Sequence, residues 1–317
     1  MLKNGNICKN IAKKSIKDIG YCTRHYNILK QTSYDSTDYL QNILTELKIN
    51  KNDITFINKG TFGLVYKIML DNKFYALKYQ HLNDNIKNII YYEYILLSQH
   101  FNDCDNIVKL YNSKKSYYYK NNSYSFIITE LLHETLQERK QRYQFSINEI
   151  KNIGIQLIQT IKYIHDKKYL YIDLKPENIM FTNDQDNIIK LIDFNCCSKY
   201  INHLSEFYEN KIIKGPIGNM IYSSININKS YSGVRIDDIE SILWILLYLL
   251  DYNIINNIKA AKKNEKIIKL KEIFIINNIC EENNKYEFII NYINELKIYN
   301  SLNNKKPNYE RFIDILK

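Results

Sequence analysis

Along residues 147–167 apolar side chains return every three or four positions, and Ile150, Ile153, Leu157, Ile161 and Ile164 share one helical face. Just ahead, Ser146 and Glu149 stand three apart, a spacing that satisfies two orphan N–H groups at a helix start. Upstream of about residue 130 the period is different. "DITFINKG" and "TFGLVYKIML" read as strands, an Asp71-Asn72 turn follows, and "KFYALKYQ" reads as a third strand. "IKNIIYYEYILLSQH" then has helical spacing, and "YSFIITELL" reads as a buried strand running into a short connector. After the long helix come two short β-like runs, "ENIMFT" and "NIIKLIDF", a long irregular segment and more helices. The pattern predicts an α+β chain without internal repeats. A small β-rich part with one key helix covers about 52–130, and a larger, mainly helical part about 131–317.

Composition narrows the setting. The chain has 317 residues, 45% of them hydrophobic and 25% charged, enough for one large domain or two lobes. It holds 29 Tyr but only 8 Gly and 3 Pro, with runs of Ile, Asn and Lys, a bias of the kind AT-rich coding produces. That bias fits a large DNA virus or an AT-rich protist, and it removes Asn runs as a signal of disorder. Six cysteines in so long a chain form no disulfide framework, and "MLKNGNICKNIAKKS" lacks the apolar core of a secretory signal. The most apolar stretch, "IESILWILLYLLDYNII", is interrupted by Glu240 and Asp251 and falls short of a membrane span. The expected location is a reducing intracellular compartment, the cytoplasm (of a host, or a virion, if the source is viral). No membrane association and a monomer are expected.

A net charge of +10 suits an acidic partner such as a nucleotide, a phosphoprotein, an acidic peptide or nucleic acid. A solvated lysine-rich surface accounts for it equally. Residues 1–45 form a basic extension, the natural place for nucleic acid to bind, and Cys8, Cys22 and His25 there make a candidate partial zinc knuckle. Its fourth ligand is missing from the neighbourhood, and a basic tail with buried thiols is the alternative.

Several groups carry chemistry. In "FINKGTFGLVYK", Gly60 and Gly63 bracket a turn whose backbone amides can approach phosphates, although an ordinary hairpin would look the same. Lys78 lies in "YALK", beside Phe74, Ala76 and Leu77, where burial makes a charged amine costly unless paired. Glu93, in the apolar helix "IIYYEYILL", is its plausible partner. "YIDLKPENIMF" sets Asp173 and Asn178 five apart with Lys175 between them, and Asp193 ends the β-like run "IKLIDFN". Asp, Pro and Asn also favour exposed turns, but a turn does not explain the ordered set.

Taken together, Gly60/Gly63, Lys78, Glu93, "DLKPEN" and "DFN" resemble the eukaryotic protein kinase motifs over about residues 52–317, and "KPEN" resembles the Ser/Thr kinases. "GNMIYSSININKSYSGVRIDDIESILWILLYLL" and "KKPNYERFIDIL" resemble the casein kinase 1 group, which includes the vaccinia-related kinases. The resemblance implies a two-lobed protein kinase fold and an ATP-dependent protein serine/threonine kinase using Mg²⁺, with Mn²⁺ as an alternative. It implies that Asp173 accepts the substrate hydroxyl proton and that Lys175 offsets charge near the γ-phosphate. Asn178 and Asp193 would hold the metal, and Lys78, held by Glu93, the phosphates. Ile57, Gly60, Gly63 and Val65 would cover the nucleotide, Glu130 and Leu132 would meet adenine with Thr129 behind, and Asp238 would brace the catalytic loop. Acidic or pre-phosphorylated protein substrates fit the group, with Lys211, Lys214 and Arg235 as candidate readers.

The chain departs from the common pattern at four places. Asn58 stands for the first loop glycine, Ile172 for the arginine before the catalytic aspartate, Asn195 for the glycine after Asp-Phe, and Asn219 for the threonine after Gly218. Ile172 removes a reader of activation-loop phosphate. Asn195 tolerates unusual backbone angles, and the Asn219 amide is expected to reach Asp173 and Lys175. Because no phosphate, metal or proton-handling group is lost, an active kinase is expected. A pseudokinase that binds nucleotide or partners without turnover, and a kinase of small molecules, are the alternatives.

Overall fold

A computed structural model describes residues 14–16, 19–21, 36–59, 63–82, 88–111, 117–120, 124–202, 204–277, 286–300 and 305–317. Gly60, Cys8, Cys22 and His25 therefore lie outside the described residues, and with them the zinc expectation. The chain divides into two compact units, Met1–Ile90 with Lys114–Ile128, and Tyr91–Ser113 with Thr129–Lys317.

The first unit is built on a five-stranded sheet. A short antiparallel pair, β1 (Lys14–Ile16) and β2 (Ile19–Tyr21), and a helix, α1 (Ser36–Glu46), precede it. Ile43 and Leu44 of α1 are buried. The sheet order is β3 (Ile54–Lys59), β4 (Leu64–Leu70), β5 (Lys73–His81), β7 (Tyr124–Glu130), β6 (Tyr117–Lys120). The Asp71-Asn72 turn forms as expected, with φ of 47° and 59°, left-handed values that these two residue types tolerate. Gly63 has a packing reason of its own, since a side-chain carbon there would stand 2.2 Å from the Tyr79 carbonyl oxygen. In β5 only the second half meets the burial expected of it: Leu77, Tyr79 and Gln80 are buried, whereas Phe74 is 47% exposed beneath the Lys67 amine, 3.8 Å from its ring centre. A helix, α2 (Ile89–Ile95), starts in this unit, where the Gln80 side-chain oxygen accepts the Ile89 N–H at 3.0 Å.

The second unit is mainly helical. Thr135 and Glu138 cap α3 (Leu136–Arg142) reciprocally, and Ser146 and Glu149 cap α4 (Ile147–Asp166) in the same way, as the spacing implies. The whole expected stripe of α4 is buried, from Ile150 to Ile164. Between α4 and the later helices lie β8 (Tyr169–Leu170), β9 (Ile179–Phe181), β10 (Ile189–Leu191) and β11 (Ser198–Lys199), in which β9 pairs with β10 and β8 with β11, both antiparallel. Then follow α5 (Ile225–Asn228), α6 (Arg235–Leu249), α7 (Asn253–Ala260), α8 (Asn264–Asn277), α9 (Glu287–Asn300) and α10 (Tyr309–Leu316). Every residue of α6 except Tyr248 is buried, so the apolar run is the hub of this unit. Among the described residues no helix is long and apolar enough to cross a membrane.

Candidate active site

The segment from Tyr169 to Asn178 hangs on one side chain of α6. Both carboxylate oxygens of Asp238 accept backbone N–H groups at 2.8 Å, Oδ2 from Tyr171 and Oδ1 from Ile172. His165 Nε2 donates to Oδ2 at 2.8 Å, and the Tyr309 hydroxyl meets the other ring nitrogen at 2.7 Å. A carboxylate only accepts, so Nε2 bears a proton and donates to Asp238. All five residues are at most 4% exposed.

That clamp holds an unusual backbone. Ile172 has φ 71°, a left-handed value that a β-branched residue adopts at real cost. Its side chain is anchored in an apolar cluster with Leu170, Tyr200 and Ile227, flanked by Cys196 and Ile201. Ile172 thus points into packing where a phosphate reader would need charge. Replacing it with arginine is expected to destabilise the chain by about 3 kcal/mol, because the longer charged side chain must displace tight apolar packing. A thermal midpoint unchanged in Ile172→Arg would show that the cluster opens readily.

Beyond the clamp, Asp173, Lys175 and Asn178 converge. Lys175 Nζ donates to Asp173 Oδ2 at 2.5 Å, and Asn178 Nδ2 donates to the Asp173 carbonyl at 2.9 Å and to Oδ2 at 3.2 Å. Burial pushes the Asp173 carboxyl above its ordinary value, against the pull of Lys175. The Asp173 charge in turn holds the Lys175 amine above its own ordinary value, overcoming the burial that acts first against it. Asp173 Oδ1 is buried without a hydrogen-bond partner. It faces Gly218, where a side-chain carbon would stand 3.1 Å away.

Asp193 follows β10 with φ 62°, a left-handed value, and Asn195 keeps a negative φ. The Asn195 side-chain amide donates back to the Asp193 carboxylate. Phe194 is fully buried, with its ring centre 5.4 Å from that of Tyr171. Glu93, also buried, accepts the Phe194 N–H at 3.4 Å, which ties α2 to the aspartate-bearing segment. Lys78 lies half-buried on β5 in the first unit. Ile57 is exposed at a bulge between β3 and β4, and Val65 is half-buried.

After β7 comes the connector. The Glu130 carboxylate accepts the Lys109 N–H at 2.7 Å and the Lys190 amine at 2.6 Å, and the Glu130 N–H donates to the Lys109 carbonyl at 2.9 Å, which leaves its backbone carbonyl for any ligand contact. Leu132 is buried. Arg235 is buried too, with its guanidinium 5.0 and 5.2 Å from the Tyr200 and Phe207 rings, so of the three candidate acid readers only Lys211 and Lys214 are exposed. Asn219 turns its side-chain oxygen to the Ile221 N–H at 2.9 Å.

Three features escaped the sequence reading. Tyr309 reaches His165 across 144 residues of sequence. Lys271 on α8 is wholly buried, donating to the carbonyls of Met220 at 3.1 Å and Ser223 at 2.5 Å and to Asn228 Oδ1 at 2.8 Å. Burial depresses its amine, and the buried Glu240 carboxylate opposes that shift. The signal was its place on the apolar stripe of Ile267, Phe274 and Ile275. Ser223, the third feature, lies between Tyr222 and Ser224 in the "GNMIYSS" stretch, where no role was assigned to it.

The donor set suits a hard cation, because Asn178 offers an amide oxygen and Asp193 a carboxylate. The other cluster of ligating types among the described residues, His133, Glu134 and Asp184, is taken up by arginines: Arg139 lies 2.7 Å and Arg142 2.5 Å from Glu134, and Arg142 lies 2.6 Å from Asp184.

A sheet-based unit followed by a helical one with this aspartate, lysine and asparagine grouping is the build of a phosphoryl-transfer enzyme. The chain belongs to the protein kinase domain family, which matches residues 51–232. It is similar to a protein of Encephalitozoon cuniculi named "Probable casein kinase I homolog", 28% identical over 269 residues, 82% of this chain and 81% of that one. It is also similar to two proteins named "Probable serine/threonine-protein kinase". The one from Fowlpox virus is 30% identical over 198 residues, 61% of this chain and 63% of that one. The one from Dictyostelium discoideum is 28% identical over 198 residues, 60% of this chain and 39% of that longer one. In fold it resembles vaccinia related kinase 3, with a TM-score of 0.70 at 15% identity over 84% of this chain and 87% of that one.

Proposed function

We infer that the chain is a protein serine/threonine kinase, which takes the γ-phosphoryl group of ATP with Mg²⁺ and passes it to side-chain hydroxyls of proteins. The observation behind this reading is the buried cluster in which Lys175 and Asn178 hold one oxygen of Asp173 and leave the other without a partner. Asp173 orients the acceptor hydroxyl and accepts its proton, as the new oxygen–phosphorus bond forms and the bond to the bridging oxygen of ADP breaks. Lys175 offsets charge on the transferred group. Asn178 and Asp193 hold Mg²⁺, which when bound neutralises phosphate charge. Lys78, supported by Glu93, binds the phosphates, with Ile57, Gly60, Gly63 and Val65 over the nucleotide. The backbone at Glu130 and Leu132 meets adenine.

The net charge of +10, with Lys211 and Lys214 exposed, supports acidic or pre-phosphorylated substrates. The basic residues 1–45 suit nucleic acid, with salt-dependent binding as the test. A monomer acting in the cytoplasm, with Mn²⁺ able to replace Mg²⁺, completes the proposal.

Labelled γ-phosphate transferred from Mg-ATP to casein and recovered as phosphoserine or phosphothreonine is the expected result. Tight Mg-ATP binding without transfer to casein, to acidic pre-phosphorylated peptides or to small molecules would overturn it in favour of a pseudokinase.

A further inference from the structure

Ser223 is fixed at both backbone groups. Its N–H donates to the Asn219 carbonyl at 2.9 Å, and its carbonyl accepts the buried Lys271 amine at 2.5 Å. The residue is only 1% exposed, yet its hydroxyl oxygen has no hydrogen-bond partner. A buried hydroxyl left unpaired costs stability, so a second one close by calls for a common cause. Asp173 Oδ1 is that second orphan.

Gly218 connects the two. It has φ 77°, and a side-chain carbon built on it would stand 3.1 Å from Asp173 Oδ1 and 3.3 Å from Ser223 Oγ. Both unpaired oxygens therefore border the one spot that glycine leaves bare. Asn219, expected to supply a contact here, is turned to Ile221 instead.

We propose that Ser223 is a substrate-positioning residue and that it and Asp173 bind one acceptor hydroxyl in the space beside Gly218. Asp173 Oδ1 accepts the hydroxyl proton. Ser223 Oγ–H donates to one lone pair of the acceptor oxygen and leaves the other to face the phosphoryl group. Lys271 holds the Ser223 backbone in register for this contact. The inference rests on the kinase reading and adds the group that fixes the acceptor rotamer.

The test compares Ser223→Ala and Ser223→Thr with the wild-type chain, using Mg-ATP and casein. In Ser223→Ala, kcat/KM for casein is expected to fall about tenfold or more, the value of one lost hydrogen bond in the transition state. Mg-ATP affinity is expected to hold, and the thermal midpoint to stay level or rise, because alanine removes an orphan polar group. Ser223→Thr, which keeps the hydroxyl, is expected to retain transfer. A purely structural serine behaves otherwise, lowering the midpoint along with activity, and that result would overturn the proposal. So would an alanine variant within twofold of an active wild type. A wild-type chain that phosphorylates no serine or threonine acceptor would overturn the kinase reading itself, and this inference with it.

Discussion

Replacing Asp173 with alanine is expected to cut phosphate transfer about 10²- to 10⁴-fold, the usual worth of a positioned general base, while Mg-ATP still binds. The expectation follows from how the carboxylate is held. Oδ2 is committed to Lys175 and Asn178, and Oδ1 is buried, unpaired and faces Gly218. Burial raises the Asp173 carboxyl above its ordinary 3.8, so the acid limb of the rate profile should lie above the range of an exposed aspartate. Activity falls as pH drops through the folded-state value, because the protonated carboxyl no longer accepts the hydroxyl proton. The same shift has a stability side. A carboxyl raised on folding contributes stability below its unfolded value and loses it as pH rises through the folded one. Transfer by Asp173→Ala within tenfold of the wild type would sink the assignment.

The second large effect is expected at Asp238. Asp238→Ala removes three buried bonds at once, to His165, Tyr171 and Ile172, and leaves two backbone N–H groups without acceptors. Breaking a buried charged network of this kind costs about 3–5 kcal/mol. In a chain this size that lowers the melting midpoint by roughly 10 °C. The strained Ile172 backbone would be released with it, and Asp173, one residue on, would lose its aim. Transfer is expected to fall even at temperatures where the variant stays folded, with Asp238→Asn intermediate because it keeps one acceptor oxygen. A midpoint within two degrees of wild type would show that the clamp is dispensable.

Much of this was legible in the sequence because it depends on local rules. The Ser146–Glu149 box, the α4 stripe and the Asp71-Asn72 turn each need only a short stretch of local context, and each formed as expected. The Asp173–Lys175–Asn178 grouping was legible for the same reason, being six residues long. What stayed hidden depends on partners far along the chain. Ile172 looked like a lost arginine, yet its φ of 71° and its apolar neighbours Tyr200 and Ile227 come from the tertiary fold. Arg235 read as a surface cation because nothing local says that Tyr200 and Phe207 cover it. Asn219 was assigned a contact by position, but its short side chain found a nearer donor two residues on.

The Tyr309–His165 bond makes timing part of the design. A ribosome adding about 5–20 residues per second needs roughly 7–30 s to carry the chain from His165 to Tyr309. Through that interval the emerging polypeptide already contains Asp173, Lys175 and Asn178 but lacks the hydroxyl that completes the support behind His165. The support behind the Asp238 clamp on Tyr171 and Ile172 is therefore complete only once α10 has been made and has packed against α4.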